Sequence, residues 1–380
     1  MKKIVSFVSA LLAFGAAFVS CHRAGTPRSA AQEKKINLKD FDSSRWIASF
    51  EAGKLFSAKT GKKIILFFSD DRDGPDKGLA DGFIVRDDFV KKLSDEFVLV
   101  NVDFSEERFI EMEQAEETAY SAEGVSDDER EAALGRMNAL LDDVKLTRMY
   151  NVAQTPSLYV VSDRGLVIDV LPVTPGTDED AFLALVDGAR GKIAEFDGDL
   201  ERIKKARGVE KARAIDEFFE KTPLDYRYFL SDLCMELVDA DKKDETALVG
   251  KHLLVVANNR AVDRFLDQNP EGASDEFIAV AENKRLSGDE RQQAYYTAGY
   301  LLAQSGSVQY GKIKDCFQKA YDAAPESEYA EKIKEMVQLA AEREAEFEQM
   351  LNGQSQDAPF GPHPADVPEP AAPDGAQGGA

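Results

Sequence analysis

Basic side chains are in short supply in this 380-residue chain: 47 Lys and Arg face 70 Asp and Glu, for a formal net charge of -23. Phosphate backbones and anionic headgroups are held by clustered Lys and Arg, and no basic patch with interleaved aromatics occurs, so nucleic acid is excluded as a partner. Histidine is scarcer still. His22, His252 and His363 stand alone, no metal-ligand spacing connects them, and no cofactor is expected. Cysteine occurs three times, as Cys21, Cys234 and Cys316, and beyond the first 20 residues no segment is apolar for long enough to cross a bilayer.

The ends of the chain are distinctive. Met1-Lys2-Lys3 is a charged start, Ile4 to Val19 is apolar, and Phe18-Val19-Ser20-Cys21 closes the run on a small residue before a cysteine. This pattern resembles a lipoprotein signal peptide over residues 1–20, with Cys21 as the lipidated first residue of the mature chain. Ordinary secretion is the alternative, because Phe18 replaces the usual leucine. Residues 21–37 read as a small, polar tether. At the other end, residues 352–380 are rich in Pro, Gly, Ala and Asp and cannot bury enough apolar surface to fold, so a disordered tail is expected. About 315 residues remain between these ends, enough for two domains.

In the first half, Trp46, Phe50, Ala52 and Ala58 fall at helical spacing, and Ile64-Ile65-Leu66-Phe67-Phe68 and Val98 to Asp103 are buried-strand patterns. Asp73-Gly74-Pro75-Asp76 follows the first strand, Thr155-Pro156 precedes a third, Leu158 to Val161, and Asp163-Arg164-Gly165 reads as a hairpin turn. The order of strand, motif, helix, strand, insertion, Thr-Pro, strand, turn, strand and helix resembles the thioredoxin-like family over residues 38–195. The resemblance implies an α/β thioredoxin-like domain with a cis-proline at Pro156. Asp73 and Asp76 stand where redox-active members carry two cysteines, Arg72 stands where an aromatic is usual, and Phe67 occupies the place of a buried acid. A carboxylate can neither attack a disulfide nor resolve one.

Local physics explains both aspartates, since Asp is a preferred N-cap and Pro suits the first helical turn. A sharper reading has Asp70, Asp71, Asp73 and Asp76 binding a divalent cation, although their spacing does not match a calcium loop. The family also implies that backbone at Gln154, Thr155 and Pro156 pairs with an extended segment beside the motif, a role that does not require thiols. Pro156 has a purely structural reading as well. Between Ser105 and Asp143 there are 13 Asp or Glu and 3 Arg, an acidic insertion that reads either as a solvated helical face or as a docking surface for a basic partner.

From about Asp197 the periodicity becomes helical and stays so to Leu351, giving an expected all-α domain over residues 196–351. Asn269-Pro270 and Ser287-Gly288 interrupt it, and the last helix is expected from Glu326 to Leu351. Tyr295, Gly299, Leu302, Phe317, Ala320 and Pro325 resemble one tetratricopeptide (TPR) unit with a lengthened turn, and an ordinary helical bundle is the alternative. Cys234 and Cys316 each sit on an apolar helical face and read as core residues, with a disulfide between them left open.

Taken together, these features point to an exported, lipid-anchored protein of the bacterial cell envelope. Its thioredoxin-like domain is expected to be non-catalytic, with no enzyme activity, and to bind an envelope protein or peptide as a scaffold, with membrane attachment through lipid only. The competing expectations are a thiol-disulfide oxidoreductase with an atypical site using Cys234 or Cys316, and a divalent-cation-binding module.

Overall fold

The computed structural model describes residues 36–70, 79, 82–120, 124–174 and 176–351. Asp73, Gly74, Pro75 and Asp76 lie outside the described residues, as do Cys21 and the expected tail. The chain divides into two compact units: one holds Ser29–Ala206 with Glu217–Leu230, the other Arg207–Asp216 with the residues from Ser231 onward. Among the described residues no helix is long and apolar enough to cross a membrane.

The first unit is built on a mixed four-stranded sheet: β1 (Lys63–Ser69), β2 (Phe97–Asp103), β3 (Ser157–Val161) and β4 (Val167–Leu171), in the order β2-β1-β3-β4. β1 runs parallel to β2 and antiparallel to β3, and β4 returns antiparallel to β3. Both faces of β1 are covered, which is why its sequence is a continuous apolar run rather than an alternation. Ile65 and Phe67 point into one core with Leu99, Leu158 and Val160; Ile64, Leu66 and Phe68 point into the other with Val98, Val100, Tyr159 and Val161.

Helix α1 (Phe50–Thr60) covers the second face. Ser49 caps it by accepting from the Ala52 amide, and Gly61 ends it in the left-handed region at φ 74°. Trp46, expected on this helix, precedes it. The neighbouring Ile47 instead pairs its backbone with Leu99 and Asn101 of β2, which turns Trp46 to the opposite face, where its Nε1 donates to the Ile84 carbonyl at 3.1 Å. That face is covered by α2 (Asp87–Ser94) and the start of the 27-residue α5 (Glu179–Lys205), which add Phe89, Val90, Phe182 and Val186.

The acidic insertion folds as two antiparallel helices, α3 (Glu106–Tyr120) and α4 (Asp127–Met149). Ser126 and Glu129 form a reciprocal capping box at the start of α4. The small side chains of Ala115, Ala119 and Ala133 let the two helices approach closely. Near the base, Phe109, Val144, Leu146 and Met149 pack against the core beneath α1.

The expected boundary between residues 195 and 196 falls in the middle of α5. Helical bonding is unbroken there, and buried Phe196 and Ile203 continue the apolar stripe, so the first unit extends to Ala206. The second unit takes the first part of α6 (Gly208–Lys221), then α7 (Ser231–Ala240), α8 (Val249–Leu266), α9 (Pro270–Ala281), α10 (Gly288–Gln304), α11 (Tyr310–Ala323) and α12 (Ala330–Leu351). Asn269 with Pro270 and Ser287 with Glu290 start helices rather than merely interrupting them. The last helix starts at Ala330, not Glu326, because residues 325–329 form turns. A Cβ at Gly299 would lie 3.1 Å from both the Cys316 Cβ and the Phe317 ring, so α10 and α11 pack backbone-close there.

Candidate functional site

One end of the sheet carries the polar groups. The parallel register pairs Ser69 with Asp103, and the antiparallel register pairs Phe68 with Ser157, so the last residues of β1 and β2 and the first residue of β3 lie at one end of the sheet. Ligands of open α/β sheets gather beyond strand carboxyl ends for this reason: the backbone terminates there and loops diverge. The Thr155–Pro156 peptide bond is cis. Pro156 is buried, Thr155 half-buried and Gln154 exposed, and the Ser157 hydroxyl donates to the Gln154 carbonyl at 2.6 Å. Asp70 follows the end of β1; Asp71, Asp73 and Asp76 lie outside the described residues.

The neighbouring side chains are fixed by local bonds. The Ser69 hydroxyl donates to the Asn101 side-chain Oδ1 at 2.9 Å, and Asp103 accepts from the Ser105 amide at 2.9 Å and the Ser105 hydroxyl at 3.0 Å. Arg108 of α3 reaches Asp143 of α4 at 3.5 Å and Glu111 at 3.1 Å. Asp143 is buried, which pushes its carboxyl up to about 6 despite the opposing pull of Arg108, and Asp142 and Asp103 add to the rise.

Behind this end of the sheet, a tyrosine network locks the hairpin. The Tyr150 hydroxyl donates to the Gly165 carbonyl at 2.8 Å, and the Tyr159 hydroxyl donates to the Tyr150 carbonyl at 3.0 Å. Burial holds both phenols above the ordinary tyrosine range, so they act as neutral donors. Gly165 adopts φ 78° in the turn between β3 and β4, and an added Cβ would come within 3.1 Å of the Tyr150 hydroxyl.

His252 is not isolated in the fold. In the second unit its Nδ1 lies 3.2 Å from Cys234 Sγ and its Nε2 lies 2.9 Å from Asp216, which also accepts from Lys251 at 2.5 Å. The order thiol, imidazole, carboxylate matches a nucleophilic triad, but both the cysteine and the histidine are fully buried. Burial pushes the Cys234 thiol up to about 12, so no thiolate forms, and the Cys316 thiol up to about 11. Both thiols are free. The triad-like cluster ties α6, α7 and α8 together. Sequence reasoning missed it because its members are 18 and 36 residues apart with no local motif. Among the described residues no group of three or more His, Cys, Asp or Glu is placed to hold a metal ion.

Residues 248–345 match a family described as "Uncharacterised protein C-terminal domain", a stretch that covers nearly all of α8 through α12. An "Uncharacterized protein" of Treponema pallidum (strain Nichols) is 28% identical over 166 residues, which is 43% of this chain and 54% of that protein. The match thus spans about half the length of this relative. No solved structure matches the chain.

Proposed function

We propose that the first unit is a thioredoxin-like domain that has given up thiol chemistry and binds an extended segment of a protein or peptide. The observation that carries this reading is the register of the sheet, which sets the ends of β1 and β2, Ser69 and Asp103, at the same end as Ser157, directly after Gln154, Thr155 and Pro156. The element order supports it as well: β1, α2, β2, an insertion, the cis-proline, β3, a turn, β4 and α5 follow the order of that family. In such a domain main-chain groups beside the cis-proline pair with the bound segment, and side-chain pockets set its sequence. The buried, un-ionised thiols of Cys234 and Cys316 argue against an oxidoreductase that borrows either one.

The helical unit completes a scaffold. Its TPR-like character is supported by the close approach at Gly299 and by the succession of antiparallel helices from α8 to α12. The N-terminal sequence supports lipid anchorage at Cys21 and, with it, a location in the bacterial cell envelope. The partner is then an envelope protein or peptide, and membrane attachment is through lipid only.

Site-specific photo-crosslinking tests the binding reading. A crosslinker at Gln154 is expected to capture an unfolded, extended model protein, whereas one at Arg164, in the turn at the far end of β3, is not. Equal capture at the two positions would refute a site at the cis-proline.

A further inference from the structure

Near the base of the α3–α4 pair one carboxylate, Asp143, is buried, and its ion pair with Arg108 of α3 is 3.5 Å long. Arg108 is shared, because Glu111 accepts from the same guanidinium at the shorter distance of 3.1 Å. The other charges acting on Asp143 are carboxylates: Asp142 on its own helix and Asp103 at the end of β2. A buried carboxylate with a weak, shared cation and two like charges near it is stabilised by taking up a proton, since the neutral form loses little on desolvation.

The remaining contacts of the pair are modest. The outer part rests on the small residues Ala115, Ala119 and Ala133 with the partly buried Leu134 and Met137, Leu140 is buried further along α4, and Arg130 donates to the Ala119 carbonyl. Near the base, the partly buried Phe109, Val144, Leu146 and Met149 join it to the core. Elements with few fully buried apolar contacts open locally before the domain unfolds. One unfavourable charge at the base therefore has leverage over the whole hairpin.

We propose that Asp143 is a pH-operated latch: when protonated it lets the base of the α3–α4 hairpin close against the sheet, and when ionised it loosens that base. The sign follows from linkage. The closed hairpin holds the proton more tightly than the open one, so closure is favoured at low pH and weakens as pH rises through the range between the ordinary carboxylate value and that of closed Asp143. Asp103 and Ser105 join the end of β2 to the start of α3, so loosening begins beside the polar groups at the sheet end. The latch is independent of what those groups bind.

Hydrogen exchange on the full chain tests it. After correction for intrinsic rates, protection of amides in residues 106–120 and 127–149 is expected to fall by up to about a hundred-fold between pH 4 and pH 7.5, the fall lying between the ordinary carboxylate value of 3.8 and about 6, with a plateau above it. Asp143→Asn is expected to keep protection high across the range. Asp127→Asn, on the exposed start of α4, is expected to leave the wild-type profile unchanged, and Asp103→Asn to move its midpoint down. A flat wild-type profile, or the same pH slope in Asp143→Asn, would overturn the latch.

Discussion

Gly53 sits in the second turn of α1, where a glycine normally weakens a helix, so Gly53→Ala is expected to gain about 1 kcal/mol from helix propensity alone. Packing reverses the sign. An added Cβ would lie 2.3 Å from Val100 Cγ2, whereas ordinary contacts begin at 3.4 Å, and Val100 is fully buried on β2. More than 1 Å of overlap in a filled core has to be relieved by moving α1 off the sheet or Val100 off its rotamer. Overpacking of this kind costs about 1–3 kcal/mol. Because the overlap is at the severe end, the net expectation is a loss of about 1–2 kcal/mol, or roughly 2–8 °C in melting temperature.

Trp46 makes the assay specific. It is the chain's one tryptophan, and its ring lies 5.6 Å from Phe67 in the core of the first unit, so its fluorescence reports on that unit. Val100→Ala should remove the clash, and the double variant is expected to be more stable than the two single losses predict, by about 1 kcal/mol or more. If Gly53→Ala proves neutral or stabilising, the packing of α1 on β2 described here is wrong.

Further predictions follow from single contacts. Tyr150→Phe leaves the Gly165 carbonyl without its buried donor and is expected to destabilise the first unit by about 1–3 kcal/mol in urea unfolding followed at Trp46. At Asp216 burial alone would raise the carboxyl, but hydrogen bonds from His252 and Lys251 outweigh it and hold the group at about 2. Its stabilisation is therefore present above the ordinary carboxylate value and lost as pH falls through about 2. Asp216→Asn is expected to flatten that acid limb in helical unfolding by circular dichroism, with a loss of about 2 kcal/mol at neutral pH. Iodoacetamide at pH 8 is expected to leave Cys234 and Cys316 unmodified in the folded chain and to alkylate both in urea, as mass spectrometry would report.

The sheet was legible where one-dimensional pattern and three-dimensional burial coincide. Ile64 to Phe68 read as a fully buried strand because helices cover both faces, and Gly165 read as a turn because its left-handed backbone needs glycine. Trp46 misled, since helical spacing continues backward past Ser49 although the chain there is extended along β2. The change of periodicity placed a boundary at 195/196, but α5 passes through without a cap or break, and Gly191 and Gly198 have open space around them. The Asp216–His252–Cys234 cluster was invisible for another reason: it exists only once α6, α7 and α8 are packed.

Disulfide exchange with insulin tests the central claim most directly. With Cys21→Ser in the background, the chain is expected to show no reduction above the protein-free rate, and Asp73→Cys with Asp76→Cys is expected to create it if the proposed thioredoxin-like frame surrounds those positions. Turnover by the chain with both aspartates in place, or a double variant that stays inert although folded with both thiols free, would contradict the account.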